Sequence, residues 1–376
     1  MKTLISILIF CIVLFIYLHI NFHLRTSNDL EVYEIDQPSK EKLEEICDLR
    51  QPLMFDYKVD GLLNECNIDT LEKKYGAFDI KVRNVKEYDD VSELYLPLTL
   101  NTGREIFRKD RDERYLSENN QDFLEETSVI KYMRYNDNFL RPYSVSNCNY
   151  DIMFSSKETK TILKYDLNYR NYFLVTQGSV TLKLITPQSS KYLYTINDYD
   201  NFEFISPVNP WDVQEQFKPD FDKLKTLEVT LKVGQIIFIP AYWWYSILFS
   251  ENTSIISFKY KTYMNNIAIS NHLLVNLLQT QNVKREIAKK KQLEDTNTNT
   301  NTNTNTNTNT NTNNNINNHN HKHKDKYKHK NKYKHKDDNE YANDYDNEDN
   351  NLNKIKSISN VLYDDDDGDT DIDKLY

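Results

Sequence analysis

LKVGQIIFIPAYWWYS, residues 231–246, packs a turn, a strand and a stop into one short stretch. Gly234 supplies the turn, and Gln235–Ile239 is an unbroken apolar run of strand length. Pro240 has no amide hydrogen to give to a ladder and ends the run before Tyr242, Trp243 and Trp244. Working outward, β-type runs recur at Thr161–Tyr165, Tyr172–Gln177, Val180–Ile185, Leu227–Leu231 and Ser254–Tyr260. Many short strands broken by polar turns predict a sandwich or barrel. Ahead of them, PSKEKLEEICDLRQPLMFD (38–56) predicts a short helix capped near Ser39 and then an apolar strand. A second helix is expected at about Asn67–Tyr75, a strand at Ala77–Val82, and an amphipathic helix beyond the barrel at Asn271–Leu278.

Composition agrees with an aromatic-rich β core. Hydrophobic residues make up 39% of the chain, with 27 Tyr and 17 Phe against only 6 Gly and 9 Pro. Net charge is −10, but the acids gather after Asp337 and include the run Asp364–Asp367. The globular part is therefore closer to neutral and lacks the basic footprint of a nucleic-acid binder. Cys11 lies in the apolar N-terminal run, while Cys47, Cys66 and Cys148 are scattered with no CxxC spacing. That excludes a zinc site and a disulfide framework built on such spacing.

Both ends are read apart from the globular region. Residues 1–24 are expected to form a transmembrane anchor, because Leu4–Ile20 (LISILIFCIVLFIYLHI) is apolar and of spanning length. The rivals are a cleaved signal peptide, which should end at a small-x-small site that Leu18–His23 does not offer, and a buried core helix. A single-pass membrane protein held through residues 4–20 follows, with orientation left open. Lys2 and the α-amino group on one side compete with Arg25, Lys40 and Lys42 on the other. The sequon Asn252-Thr253-Ser254 would report a lumenal domain. Residues 292–376 are expected to be a disordered low-complexity tail, with alternating Thr and Asn over 296–312, a His/Lys tract over 319–336, and then the acids. The His/Lys tract reads as a solvated spacer; loose binding of metals or of an anionic surface is the alternative.

The motifs, taken in order, resemble the cupin-like, JmjC-related family. Residues 231–246 are similar to its late "GDxLFIPxxWWH" stretch, and TILKYDLNYRNYFLVTQGSVTLKLITP (161–187) to its "tplHyDxxxNxxxqxxGxKxxxLxxP" block. YLSENN (115–120), SPVNPWD (206–212) and the lead-in at 38–56 fall in the matching order, so the resemblance spans about residues 34–262. It implies a mainly β domain over residues 30–285, a double-stranded β-helix (cupin or jelly-roll barrel) with helical N-terminal additions.

The resemblance also implies oxidation by Fe(II) with 2-oxoglutarate, the iron held by two histidines and a carboxylate on one face. Carried onto this chain, the first histidine falls on Lys164, the carboxylate on Asp166 and the second histidine on Tyr245. Asp166 is then a remnant of the metal site. The cosubstrate lysine falls on Val180, with Lys183 further along the strand, and Asn171 stands near the family's asparagine at a spacing one residue longer. Apart from any placement, the eight histidines are at 19, 23, 272, 319, 321, 323, 329 and 335, so none lies between Leu24 and Asn271. His272 falls beyond the barrel, where a surface or packing role is expected.

Lys164 and Asp166 are two apart on an expected strand and so share a face. The Lys164 ammonium is expected to take the metal's place, paired with Asp166 and hydrogen-bonded by the Tyr245 hydroxyl, since a buried unpaired carboxylate is costly. The alternative has Lys164 snorkelling to a wet barrel mouth without a partner. Trp243 and Trp244, with Tyr242, line either a pocket or the core, and Trp211 reads as a loop anchor. The function expected is a membrane-tethered domain with neither iron nor 2-oxoglutarate, non-catalytic, taking a protein partner or a small ligand in the barrel or acting as scaffold. One rival is an active Fe(II)/2-oxoglutarate hydroxylase or demethylase-like oxygenase using Asp166 with tail or partner histidines, at a large ordering cost. Another is a structural membrane or virion component.

Overall fold

The computed structural model describes residues 1–86 and 95–281. The tail expected over 292–376 lies outside the described residues.

The helix Lys2–Leu24 is long and apolar enough to cross a membrane. Its side chains are exposed or, at Ile16, His19 and Ile20, half-buried until His23, which is buried against the domain. The helix end is gripped there by several contacts. His23 Nε2 lies 3.3 Å from Thr262 Oγ1, its ring is 5.0 Å from that of Tyr169, and the buried Arg50 donates to the Phe22 carbonyl at 3.4 Å.

Ser39 caps the helix Lys40–Asp48, accepting from the Lys42 amide, and Asn67 caps Ile68–Tyr75 in the same way through the Thr70 amide. These helices, with Leu100–Lys109, Gln121–Glu126 and Ile130–Asn136, cover one face of a nine-stranded sheet. Its strands lie in the order Tyr33–Ile35, Leu53–Asp56, Gln235–Phe238, Arg170–Gln177, Ser254–Thr262, Val145–Ser155, Tyr115–Ser117, Asp79–Asn84 and Leu96–Thr99. A second sheet runs Ile196–Asp198, Glu203–Ile205, Lys164–Tyr165, Trp244–Phe249, Ser179–Ile185 and Leu227–Lys232.

From Lys164 onward the chain crosses back and forth between the sheets, the winding of a double-stranded β-helix. The sheets remain two separate ladders among the described residues, so the barrel is open and not hydrogen-bonded all round. Three crossings share one end, through Gly178 (φ 74°), Gly234 (φ 81°) and Asn252 (φ 55°). Glycine suits the left-handed conformation at the first two because no Cβ opposes it. At Gly178 a Cβ would also press on Thr253 Oγ1 and lie 3.0 Å from the Thr253 Cα.

Alternation along the central strands separates two cores. Tyr172, Leu174, Ile236, Phe238, Ile256 and Phe258 point to the helices. Phe173, Val175, Ile237 and Ile255 point between the sheets, where Val180, Leu182, Ile247 and Phe249 meet them. This alternation explains why the sequence shows apolar runs instead of a half-polar pattern: both faces of the large sheet's central strands are covered.

Several boundaries differ from the sequence-based expectation. Thr161–Tyr165 shortens to the two-residue strand Lys164–Tyr165, Ala77–Val82 shifts to Asp79–Asn84, and Asn271–Leu278 extends to Ser270–Gln281. Val145–Ser155, the longest strand, was not anticipated. Its first half, VSNCN, is largely polar because the core covers it only in part, through Val145 and Cys148.

Candidate functional site

The interior between the sheets is apolar at the Gly178 end and charged at the other. Ile255, Ser257 and Lys259 follow one another on the inward face of the strand Ser254–Thr262, so the third inward position carries an ammonium. On the facing sheet Lys164 and Tyr245 are cross-strand partners. Asp166 follows one residue after the strand Lys164–Tyr165.

The expected pairing of Lys164 with Asp166 is replaced by two others. Lys164 Nζ lies 2.8 Å from Glu118 Oε2, and Asp166 takes Lys259 at 3.1 Å. The Tyr245 hydroxyl does donate to Asp166, at 2.8 Å. Lys164 is mostly buried and partnered, so it does not snorkel free. Spacing explains the exchange. Residues i and i+2 on a strand are about 6.6 Å apart, whereas long side chains from sheets about 10 Å apart meet in the middle. Glu118 follows the strand Tyr115–Ser117 of the large sheet, and Lys259 is on that sheet as well.

A third pair completes the set. Arg83, on Asp79–Asn84 of the large sheet, is ion-paired with Glu118 and lies 3.6 Å from Glu203 of the small sheet. Its side chain is 2% exposed, and the Glu118 side chain 3%. Tyr95 adds a hydroxyl hydrogen bond to Glu118 at 3.3 Å and offers its ring to Arg83. Three cations, Arg83, Lys164 and Lys259, thus face three acids, Glu118, Glu203 and Asp166, and each acid is met by a cation from the opposite sheet.

These contacts set the ionisation. Burial, the largest influence on Glu118, would raise its pKa, but Arg83 and then Lys164 outweigh it and hold the carboxyl at about 2. Burial would likewise lower the Lys164 pKa, and Glu118 and Glu203 reverse this, so it stays an ammonium. Asp166 is kept below the usual carboxylate range: Lys259, Lys164 and the Tyr245 hydroxyl overcome its burial. Burial, and then Asp166, push the Tyr245 phenol well above its ordinary value. Asp151 differs, since burial raises its pKa even though it accepts from the Asn119 and Asn120 amides at 2.9 and 2.7 Å.

This donor set does not fit a ferrous ion. An ammonium has no lone pair to give, the Tyr245 hydroxyl keeps its proton and aims it at Asp166, and Asp166 is already engaged by Lys259. Among the described residues no three His, Cys, Asp or Glu side chains gather as metal ligands would.

The remaining sequence candidates are structural. Asn171 donates to the Ile239 carbonyl at 3.1 Å and accepts from Asn168 at 3.2 Å. Trp243 and Trp244 are fully buried, their indoles bonded to the Arg50 carbonyl at 3.1 Å and to Ser190 Oγ at 2.8 Å. Trp211 bonds Ser246 at 2.8 Å and stacks under Lys183, which points outward to Glu228 at 3.2 Å. Val180 belongs to the apolar half of the interior. His272 packs on Tyr199, at 3.0 Å from its hydroxyl.

Glu118, Arg83, Glu203 and Lys259 were not singled out by sequence reasoning. Lys259 carried a visible signal, a charge in phase with Ile255 in SIISFKYKT. Glu118 sits inside the YLSENN motif but has no periodic pattern around it.

Comparison with known proteins agrees with this fold. Residues 100–270 match the family model described as a cupin-like domain. A stretch of 76 residues is 30% identical to HSPB1-associated protein 1 of Mus musculus, covering 20% of this chain and 16% of that protein.

Proposed function

From a chain that carries a cupin-like domain over residues 100–270, we propose a membrane-anchored binding or scaffold module that has given up iron-dependent oxygenase chemistry. The observation that carries this reading is the Lys164–Glu118 ion pair at 2.8 Å, at the position where the family resemblance calls for a first imidazole. A charge-neutral set of side chains does there what a divalent cation would otherwise do: it balances buried carboxylates without leaving an open coordination position. Replacing such a set by a metal would require both ejecting an ammonium and finding two nitrogen donors.

Anchoring is supported by the helix Lys2–Leu24 and by the contacts of its last turn with Arg50, Tyr169 and Thr262. The test of the chemistry is direct. Full-length protein purified with Fe(II) present should retain no stoichiometric iron, and it should release no succinate from 2-oxoglutarate above the rate without protein. One tightly held iron per chain, or 2-oxoglutarate turnover, would favour an oxygenase with unusual ligands and end this reading.

A further inference from the structure

The helix Ser270–Gln281 leaves a row of leucines uncovered. One side of it meets the domain: Asn276 donates to the Tyr199 carbonyl at 2.6 Å, and His272 lies against the Tyr199 ring. Three of its four leucines face away, while Leu273 packs against the cluster of Leu167, Phe204 and Ile269. Leu274, Leu277 and Leu278, at helical spacing, are 55%, 51% and 53% exposed. Tyr263 and Ile267, on the preceding helix Tyr263–Ala268, are exposed as well.

The helix and the one before it lie at the foot of the N-terminal helix. Leu24, the last residue of that helix, and His272 line one recess with Tyr165 and Tyr242. Met264 lines a groove with Leu18 and Phe22. In sequence the helix is followed by Lys284, Arg285, Lys289, Lys290 and Lys291 with a single acid, Glu286. Exposed leucines beside a membrane-length helix, followed by a basic run, are the pattern of a segment lying in a lipid interface that contains anionic headgroups.

We infer that the helix Ser270–Gln281 is a second membrane contact, set in the interface of an anionic membrane beside the N-terminal helix with Leu274, Leu277 and Leu278 toward the acyl chains. This rests on the membrane-anchor reading above. A surface that instead docks a second copy of the chain would leave the basic run unexplained.

The full chain, with Cys11→Ser and Cys148→Ser to remove its accessible thiols, is to be labelled with bimane at Leu277→Cys. A control label goes at Val233→Cys, in the turn at the opposite end of the barrel. Each is reconstituted in phosphatidylcholine/phosphatidylserine vesicles, and quenching by nitroxide-bearing lipid is compared with alkaline extraction of the same vesicles. The expected result is several-fold greater lipid quenching at position 277 than at 233, in a chain that alkali does not release. Equal quenching at the two positions in a chain that resists alkali would overturn the inference and leave the anchor standing. A label shielded from aqueous iodide but not quenched by lipid would assign the face to a second copy and overturn it too. Release by alkali without lipid quenching would remove the anchor reading and this inference together.

Discussion

Tyr245 and Lys164 sit opposite each other on neighbouring strands, yet their side chains serve different acids, Asp166 at 2.8 Å and Glu118 at 2.8 Å. The charged end of the barrel is therefore a set of crossing contacts between two sheets. Each can be broken separately.

Lys164→Met leaves Glu118 with Arg83 as its ion-pair partner and with the Tyr95 hydroxyl, so it should cost about 1.5–3 kcal/mol, the worth of a hydrogen bond to a charged group. Glu118→Gln takes the acid from both Lys164 and Arg83, and the double variant should lose less than the two single losses summed. A double-mutant cycle from urea denaturation reads the coupling, and additive effects would mean that the two side chains do not interact in solution.

Acid should melt the domain in a defined window. Glu118 titrates at about 2 when folded, against the ordinary carboxylate value when unfolded, so between those limits the unfolded state binds more protons. Stability from Glu118 is present above the unfolded value and is lost as pH falls toward 2; Asp166, also lowered, slopes the same way. Asp151, raised by burial, slopes the opposite way above the ordinary carboxylate value. Melting temperature followed from pH 6 to pH 2 should fall, and Glu118→Gln should fall less steeply.

Gly178→Ala combines a left-handed backbone with a Cβ pressed on Thr253. The left-handed conformation alone costs about 1–2 kcal/mol for an L-residue, and the clash adds to it. Thermal unfolding of the variant should show at least that loss; an unchanged midpoint would mean that the crossing between sheets relaxes freely.

Arg50 holds the end of the N-terminal helix through the Phe22 carbonyl and through ring contacts with Phe22 and Tyr169. Arg50→Ala should speed tryptic cleavage after Arg25 several-fold, followed by mass spectrometry. Unchanged cleavage would show that His23 and Thr262 suffice.

Much of the barrel was legible because its signals are local. Ser39 announces a helix by capping chemistry, Gly234 marks a crossing, and the apolar runs Tyr172–Gln177 and Ser254–Tyr260 reflect cover on both faces. The site was legible only by half. Period two gives the face a side chain takes, which set the positions of Lys164 and Asp166, but it does not give the residue arriving from the other sheet. Lys164 and Glu118 are 46 positions apart and Asp166 and Lys259 are 93 apart. Those meetings depend on how the sheets stack, and no local pattern encodes that.

Because three bases and three acids are interlocked at the charged end, a metal centre cannot be installed there in single steps. Putting histidine at position 164 would withdraw a counter-charge from Glu118 before any ion could bind, and histidine at 245 would take a proton donor from Asp166. Each such substitution is penalised in stability before any ion binds. The six side chains are in this sense interdependent, and changes among them are expected to be tolerated as a group and not singly.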